Sequence, residues 1–172
     1  MSATPSTRAA MARWSPLPLR VIVGAGFMVH GYLKLSRGVD VFAAALAGLG
    51  IPLPDFAAWA TAIVELVAGA AVLAGAFVTA MSLPMLVILG VAIVEVHWQF
   101  GFSSIKFLAV TADGLQFGKP GVECDLLYVA CIAALWMMPP DPASWDYRRR
   151  MRSATTSDPR RSGSGGAGSR VP

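Results

Sequence analysis

The chain has 172 residues, of which 55% are hydrophobic and only 14% are charged, a composition typical of membrane proteins rather than of soluble domains. Ten of the fourteen Lys and Arg lie within the first 20 residues or beyond residue 147. The net charge of +4 therefore describes the two ends of the chain and does not indicate a nucleic-acid partner.

The first apolar segment, residues 18–36, carries two polar side chains one helical turn apart. They are His30 and Lys34, within the sequence LRVIVGAGFMVHGYLKL. No small-residue cleavage pattern stands ahead of His30, so we expect an uncleaved span rather than a removed signal peptide. Charge within an apolar helix is costly, and these residues therefore either have partners or mark a functional site.

Three further apolar segments follow, each near the length of about 20 residues that spans a bilayer as a helix. They are residues 57–78, 82–100 and 121–138. Between the first and second segments, the short sequence VFAAALAGLG is amphipathic and suits a helix at the membrane surface. The sequence thus predicts an all-α fold over residues 18–138: a membrane four-helix bundle with a short interfacial amphipathic helix between spans one and two.

The two ends of the chain differ from this apolar domain. Residues 1–17 form an N-terminal segment, and residues 139–172 form a basic tail that is too polar to bury a core and is expected to be disordered. Four spans place both ends on one side of the membrane, and their basic residues predict that this side is the cytoplasm. We expect a multi-pass plasma membrane protein whose tail arginines either bind anionic lipids or stay solvated.

Polar side chains of all four segments fall in the outer half of the predicted bundle when depth is counted at 1.5 Å per residue. They are His30, Lys34, Glu65, Glu95, His97, Glu123 and Asp125. A carboxylate at this depth meets a cation or is protonated, and Lys34 is the expected cation for Glu65. The cluster either holds the bundle together or forms a polar pocket that handles a ligand, protons or electrons.

Individual residues of this cluster have different expected roles. Glu65 is the strongest candidate because its neighbours on the helix are small and carry no charge. His30 lies one turn from the Lys34 cation and can accept a proton as a neutral imidazole. Lys34 either joins the cluster or extends to the outer interface. Glu95 and His97 are two residues apart, so we expect only one of them to face the bundle interior.

Other cofactor chemistry has little support. The histidines on segments one and three have the arrangement of a bis-histidine haem site, but His97 lies close to the water and haem is not expected. Cys124 and Cys131 are seven residues apart on one predicted helix and cannot form a disulfide with each other. No zinc-type spacing, phosphate-binding loop or serine-nucleophile motif is present, so no metal site is predicted.

Six fragments between residue 19 and about residue 146 resemble, in order, one known family. The fragments are LRVIVGAGFMVHGYLKL, LAGLGIPLP, IVELVAGAAVLAGAF, AIVEVHWQFGF, GVECDLLYVACIAAL and SWD. The family is DoxX, small membrane proteins with four spans. The family often has an Arg after the second span, where this chain has Thr79 and Ala80. This departure affects the inner side and leaves the outer polar cluster intact.

The resemblance implies a four-helix bundle and, for some members, a membrane subunit of thiosulfate:quinone oxidoreductases or of complexes that detoxify thiols and superoxide. We therefore expect a quinone-linked subunit with Glu65, His30 and Lys34 as catalytic residues and a protein partner that supplies electrons. The cofactor-binding residues expected beside them are Glu95, His97 and Glu123. A non-catalytic scaffold or assembly subunit is the alternative. A small-solute transporter is a third possibility, although no internal repeat or broken helix supports it.

Overall fold

The computed structural model describes residues 5–112 and 114–156, and these residues are mostly helical. The helices are α1 (Pro5–Ala12), α2 (Pro16–Arg37), α3 (Val39–Gly48), α4 (Pro54–Ala74), α5 (Val78–Val91), α6 (Glu123–Met137) and α7 (Trp145–Thr156). The strands are β1 (Phe107–Thr111) and β2 (Gly114–Phe117).

Helices α2 and α4 form the centre of the molecule because small residues let their backbones approach closely. A Cβ atom added at Gly24 would lie 2.7 Å from the carbonyl oxygen of Gly69, and one added at Gly31 would lie 2.9 Å from that of Ala62. Helix α6 packs against α2 and α5, so four helices share one apolar core. Its buried members are Val23, Phe27, Ala68, Val72, Met85, Leu89, Ile132 and Leu135.

Among the described residues, three helical stretches are long and apolar enough to cross a membrane: Ser6–Arg37, Pro54–Ala74 and Val78–Phe100. They correspond to the first three predicted spans. Helix α6 has only 15 residues. Its length of about 22 Å is less than the hydrocarbon thickness of about 30 Å. A fourth span over residues 121–138 is therefore not confirmed and stays a prediction.

Helix α3 forms where the amphipathic sequence between the first two spans predicted a helix. Its apolar side chains Val39, Ala43 and Leu46 pack on Ala58 of α4 and form a second, smaller core. The opposite face is exposed at Val41. The helix itself is thus confirmed, whereas its position along the membrane surface stays a prediction.

The last turns of the third candidate span depart from α-helical geometry. After α5, residues Ala92–His97 form a π-helical segment, and Trp98–Phe100 form a 3₁₀ turn. A π-helical turn holds more residues than an α-helical one, so it changes the direction in which later side chains leave the helix. The π-helical segment ends at His97, whose ring contacts Asp125 of α6.

Residues 107–117 contain a hairpin that the sequence analysis did not predict. Strands β1 and β2 pair antiparallel, with Phe107 opposite Phe117. The dipeptide Asp113-Gly114 between apolar residues is a typical hairpin sequence and is the signal that predicts such a turn. The fold is mostly helical, as predicted, but the prediction of an all-α fold did not include this two-stranded sheet.

The prediction of a disordered tail over residues 139–172 is wrong for residues 145–156, which form α7. The two carboxylate oxygens of Asp146 accept hydrogen bonds from the backbone N–H groups of Phe77 and Val78, at 3.1 and 3.3 Å. A polar helix forms here because its first turn is tied to the start of α5. Residues 139–144 are described as well, and Asp141 and Ser144 among them are buried. Residues 157–172 lie outside the described residues.

Candidate functional site

A partly buried ion pair joins α2 and α4. The Lys34 ammonium donates to both carboxylate oxygens of Glu65, at 2.6 and 2.5 Å from Oε1 and Oε2. A Cβ atom added at Gly31 would lie 3.1 Å from the Cβ of Glu65, so the missing side chain lets α2 approach this carboxylate. The predicted contact between Lys34 and Glu65 is therefore present, and it depends on the close helix packing around it.

Lys34 is the more accessible member of this pair. Its side chain is 18% exposed, against 6% for that of Glu65. The Lys34 Nζ atom also lies 4.8 Å from the centre of the Phe42 ring of α3, a cation–π geometry. An ammonium has three N–H donors, two of which point to Glu65. The described part of the chain supplies no other hydrogen-bond acceptor for this ammonium.

His30 is placed differently from the two residues it was predicted to join. It is exposed on α2, and no hydrogen bond connects it to Lys34 or Glu65 within residues 5–112 and 114–156. The predicted catalytic trio is thus a buried pair with a histidine on the adjacent helix surface.

A second polar pair lies between the end of the third candidate span and the start of α6. His97 Nδ1 is 2.5 Å from Asp125 Oδ2, and Asp125 is buried. Glu95, two residues earlier, is exposed. The prediction that only one residue of Glu95 and His97 faces the bundle is confirmed. The partner, Asp125, was placed in the polar cluster but was not chosen as a site residue.

Glu123 holds a loop in place. Its carboxylate accepts a hydrogen bond from the backbone N–H of Ser104 at 2.9 Å, and the Ser104 hydroxyl donates to the carbonyl oxygen of Gly121 at 3.1 Å. These contacts connect the start of α6 to the segment before the hairpin.

We name the end of the bundle that contains Lys34, Glu65, His97 and Asp125 the Lys34 end.

A further ion pair, which the sequence analysis missed, lies at the opposite end of the helices. Arg20 pairs with Asp141, and both side chains are almost fully buried. Arg20 also donates from Nε to the carbonyl oxygen of Val72 at 3.1 Å and from Nη2 to that of Leu73 at 2.6 Å. It thereby binds two carbonyl groups in the last turn of α4, of which that of Val72 also accepts a hydrogen bond from the backbone N–H of Gly75 at 3.0 Å.

We name the end that contains Arg20, Asp141 and Asp146 the Arg20 end. The sequence signal for its ion pair was an arginine inside an apolar run together with an aspartate among prolines, MMPPDP. The two residues are 121 positions apart, and no local pattern relates them. Counting Arg20 with the basic N-terminal segment hid its structural role.

The fold and these pairs define a class of protein, a small helical membrane protein whose charged groups are paired inside the bundle. Throughout the described residues, every buried side-chain nitrogen or oxygen atom has a hydrogen-bond partner. The same residues contain no group of three His, Cys, Asp or Glu side chains that could hold a metal ion. The candidate site is therefore the Lys34–Glu65 pair and its partly exposed ammonium.

Residues 15–98 match the model of the DoxX family, and this match supports membership of that family. The match includes α2, α3, α4 and α5, and thus both residues of the Lys34–Glu65 pair. With its candidate membrane helices, the chain is a small integral membrane protein. Neither a curated protein nor a solved structure matches it.

Proposed function

We propose that the protein is a quinone-linked subunit of a membrane oxidoreductase and that the Lys34–Glu65 pair is its quinone site. The observation that carries the proposal is the partly exposed Lys34 ammonium, which contacts both oxygens of a buried carboxylate and has no further acceptor among the described residues. Ionisable groups within membrane helices are costly and commonly mark sites of ligand or proton handling. A quinone carries carbonyl oxygens that accept such a hydrogen bond and is soluble in the surrounding lipid.

Each residue of the proposed site would have a different role. Lys34 would orient a quinone oxygen and hold Glu65 ionised, and Glu65 would take up and release a proton. His30, exposed on the lipid-facing surface of α2, would hydrogen-bond the second oxygen as the ligand enters. Reduction of a quinone to a quinol consumes two electrons and two protons. A protein partner that oxidises thiosulfate or a thiol would supply the electrons.

A second candidate is a scaffold or assembly subunit without a reaction of its own. The observation that favours it is that all buried polar side-chain atoms in the described residues already have partners. Under this alternative, Lys34 and Glu65 would connect α2 to α4 and would bind no ligand. The two candidates make different predictions about ligand content and stability.

The test is the quinone content of purified protein in nanodiscs, with empty nanodiscs as the baseline. We expect wild type to retain quinone and Glu65→Gln and His30→Ala to retain about tenfold less, since each loses a hydrogen bond to or from a charged or polar group. Asp55→Asn is the matched control, because it removes an exposed carboxylate from the first turn of the same helix. Baseline quinone in wild type, together with a lower melting temperature for Glu65→Gln, would favour the scaffold.

We further infer that both termini lie in the cytoplasm of a plasma membrane protein, because the arginines of α7 cluster at the Arg20 end. Cys124 is exposed near the Lys34 end and is a natural probe for this orientation. In a Cys131→Ser background, an impermeant maleimide should label Cys124 in intact cells. A cysteine placed at Ser153 should be labelled only after permeabilisation, and the reverse pattern would contradict the orientation.

A further inference from the structure

A cleft lies at the Arg20 end between α7 and the start of α5. Its volume is about 490 Å³, and its wall combines arginine, hydroxyl and apolar groups. The lining residues used here are Phe77, Thr79, Asp146, Arg149 and Arg150. A neighbouring cleft of about 440 Å³ shares Arg150 and reaches the buried Arg20–Asp141 pair. The positive charge of Arg150 therefore faces two adjoining cavities.

Two guanidinium groups in this cleft have no carboxylate partner among the residues that the structure describes. The Arg149 guanidinium lies 5.7 Å from the Phe77 ring centre and 5.8 Å from the Trp145 ring centre, contacts that orient it without using its N–H donors. In the described residues, no carboxylate pairs with Arg149 or Arg150. Asp146 lines the same cleft, but its two oxygens accept hydrogen bonds from the backbone of Phe77 and Val78.

The cleft lies at the level where membrane helices end. Helices α2 and α5 begin at this end of the bundle and α4 finishes there, and all three belong to candidate membrane spans. Three partly exposed tryptophans surround this level, as expected at a membrane interface. They are Trp14, Trp136 and Trp145. Helix α7 carries four arginines in its 12 residues and a single carboxylate, that of Asp146.

We propose that this cleft binds the phosphate of an anionic phospholipid headgroup from the adjoining leaflet. Arg149 and Arg150 would donate to the phosphate oxygens, since guanidinium groups match phosphate with parallel N–H donors. The apolar side chain of Phe77 gives the cleft a surface for the lipid backbone, next to the polar Thr79. Such a lipid would fasten α7 to the membrane and hold the polar helix against the bundle. The site is separate from the Lys34–Glu65 pair and does not depend on the proposed quinone function.

The experiment uses native mass spectrometry to measure which lipids stay bound to the full chain. The protein is released from nanodiscs that contain phosphatidylcholine and about 10–30% phosphatidylglycerol. We expect wild type to retain phosphatidylglycerol in preference to phosphatidylcholine. In Arg149→Gln/Arg150→Gln, the ratio of bound phosphatidylglycerol to bound phosphatidylcholine should fall about tenfold. The matched control is Arg37→Gln/Lys119→Gln, which removes the same charge from the Lys34 end of the bundle and should keep the preference for phosphatidylglycerol.

Folding of each variant is followed by its melting temperature in phosphatidylcholine alone. If the double variant does not fold, Arg150→Gln replaces it, because Arg150 makes no ring contact in the described structure. An equal loss in the control would overturn the proposal, since net charge would then explain the preference. Complete displacement of bound phosphatidylglycerol by about 20–50 mM inorganic phosphate would also overturn the proposal, because the cleft would then be a site for soluble anions.

Discussion

Each end of the α2 and α4 helix pair contains an ion pair, but the two ion pairs differ in how far their cations are buried and bonded. At the Arg20 end, each nitrogen of the guanidinium donates to a protein acceptor, and the pair with Asp141 is almost fully buried. At the Lys34 end, one ammonium donor has no acceptor in the described residues, and the Lys34 side chain is 18% exposed. An almost fully buried pair can only stabilise the fold, whereas a partly exposed cation can also bind a ligand.

The largest expected effect is at the Arg20 end. Asp141→Leu leaves Arg20 buried and without its carboxylate, and we expect it to lower the free energy of unfolding by about 3–5 kcal/mol. Unfolding in mixed micelles with increasing denaturing detergent measures the change. The double variant Arg20→Met/Asp141→Leu should recover part of the loss, because it leaves no uncompensated charge. A loss below that of Lys34→Met would contradict the contrast between the two ends.

A smaller effect is expected at the Lys34 end. Lys34→Met should lower the free energy of unfolding by about 2–3 kcal/mol, because Glu65 is left buried without a cation but can neutralise by protonation. Adding Glu65→Gln should recover at least half of this loss, and the double-mutant cycle measures the coupling. Additive losses would show that the two side chains do not stabilise each other.

The close packing between the two ends gives the next prediction. Gly24→Ala places a Cβ atom 2.7 Å from backbone atoms of Gly69 and Leu73. We expect a loss of about 1–2 kcal/mol from the displaced helices. Gly90→Ala is the control, since nothing lies within 4 Å of its added Cβ, and it should stabilise α5 by about 0.5 kcal/mol. Equal melting temperatures for the two variants would contradict the close helix approach.

The smallest effect concerns the first turn of α7. Asp146→Ala removes the acceptor for the N–H groups of Phe77 and Val78, and a lost helix cap of this kind costs about 1 kcal/mol. Hydrogen exchange of the amides in residues 77 and 78 should accelerate, while exchange near Glu65 stays unchanged. Unchanged exchange at both places would mean that Asp146 does not hold α7 to α5.

Local patterns in the sequence accounted for much of the fold. The long apolar segments predicted the first three candidate spans, and the amphipathic sequence predicted α3. Two elements were not predicted: the hairpin of β1 and β2, and the helix α7 within the polar tail. In α7 the misreading has a physical cause, since the helix depends on contacts with Phe77 and Val78 that the tail sequence does not contain.

The candidate site could be predicted only in part. Lys34 and Glu65 were paired correctly, because an unpaired carboxylate within a membrane helix is energetically costly and Lys34 is the cation at a similar depth. His30 shares the depth of this pair, yet its side chain is exposed. Depth along a helix follows from counting residues, but the face that a residue presents depends on how neighbouring helices are rotated and packed.

The sequence by itself determined that this is a membrane-helix protein with ionisable residues near one end of its bundle, because hydropathy and residue spacing are properties of neighbouring positions. Only the tertiary structure decided the partners of those residues. Arg20 and Asp141 are 121 positions apart, and His97 meets Asp125 where a π-helical segment ends. Such pairings arise from the packing of whole helices, and helix packing brings together side chains that no local pattern relates.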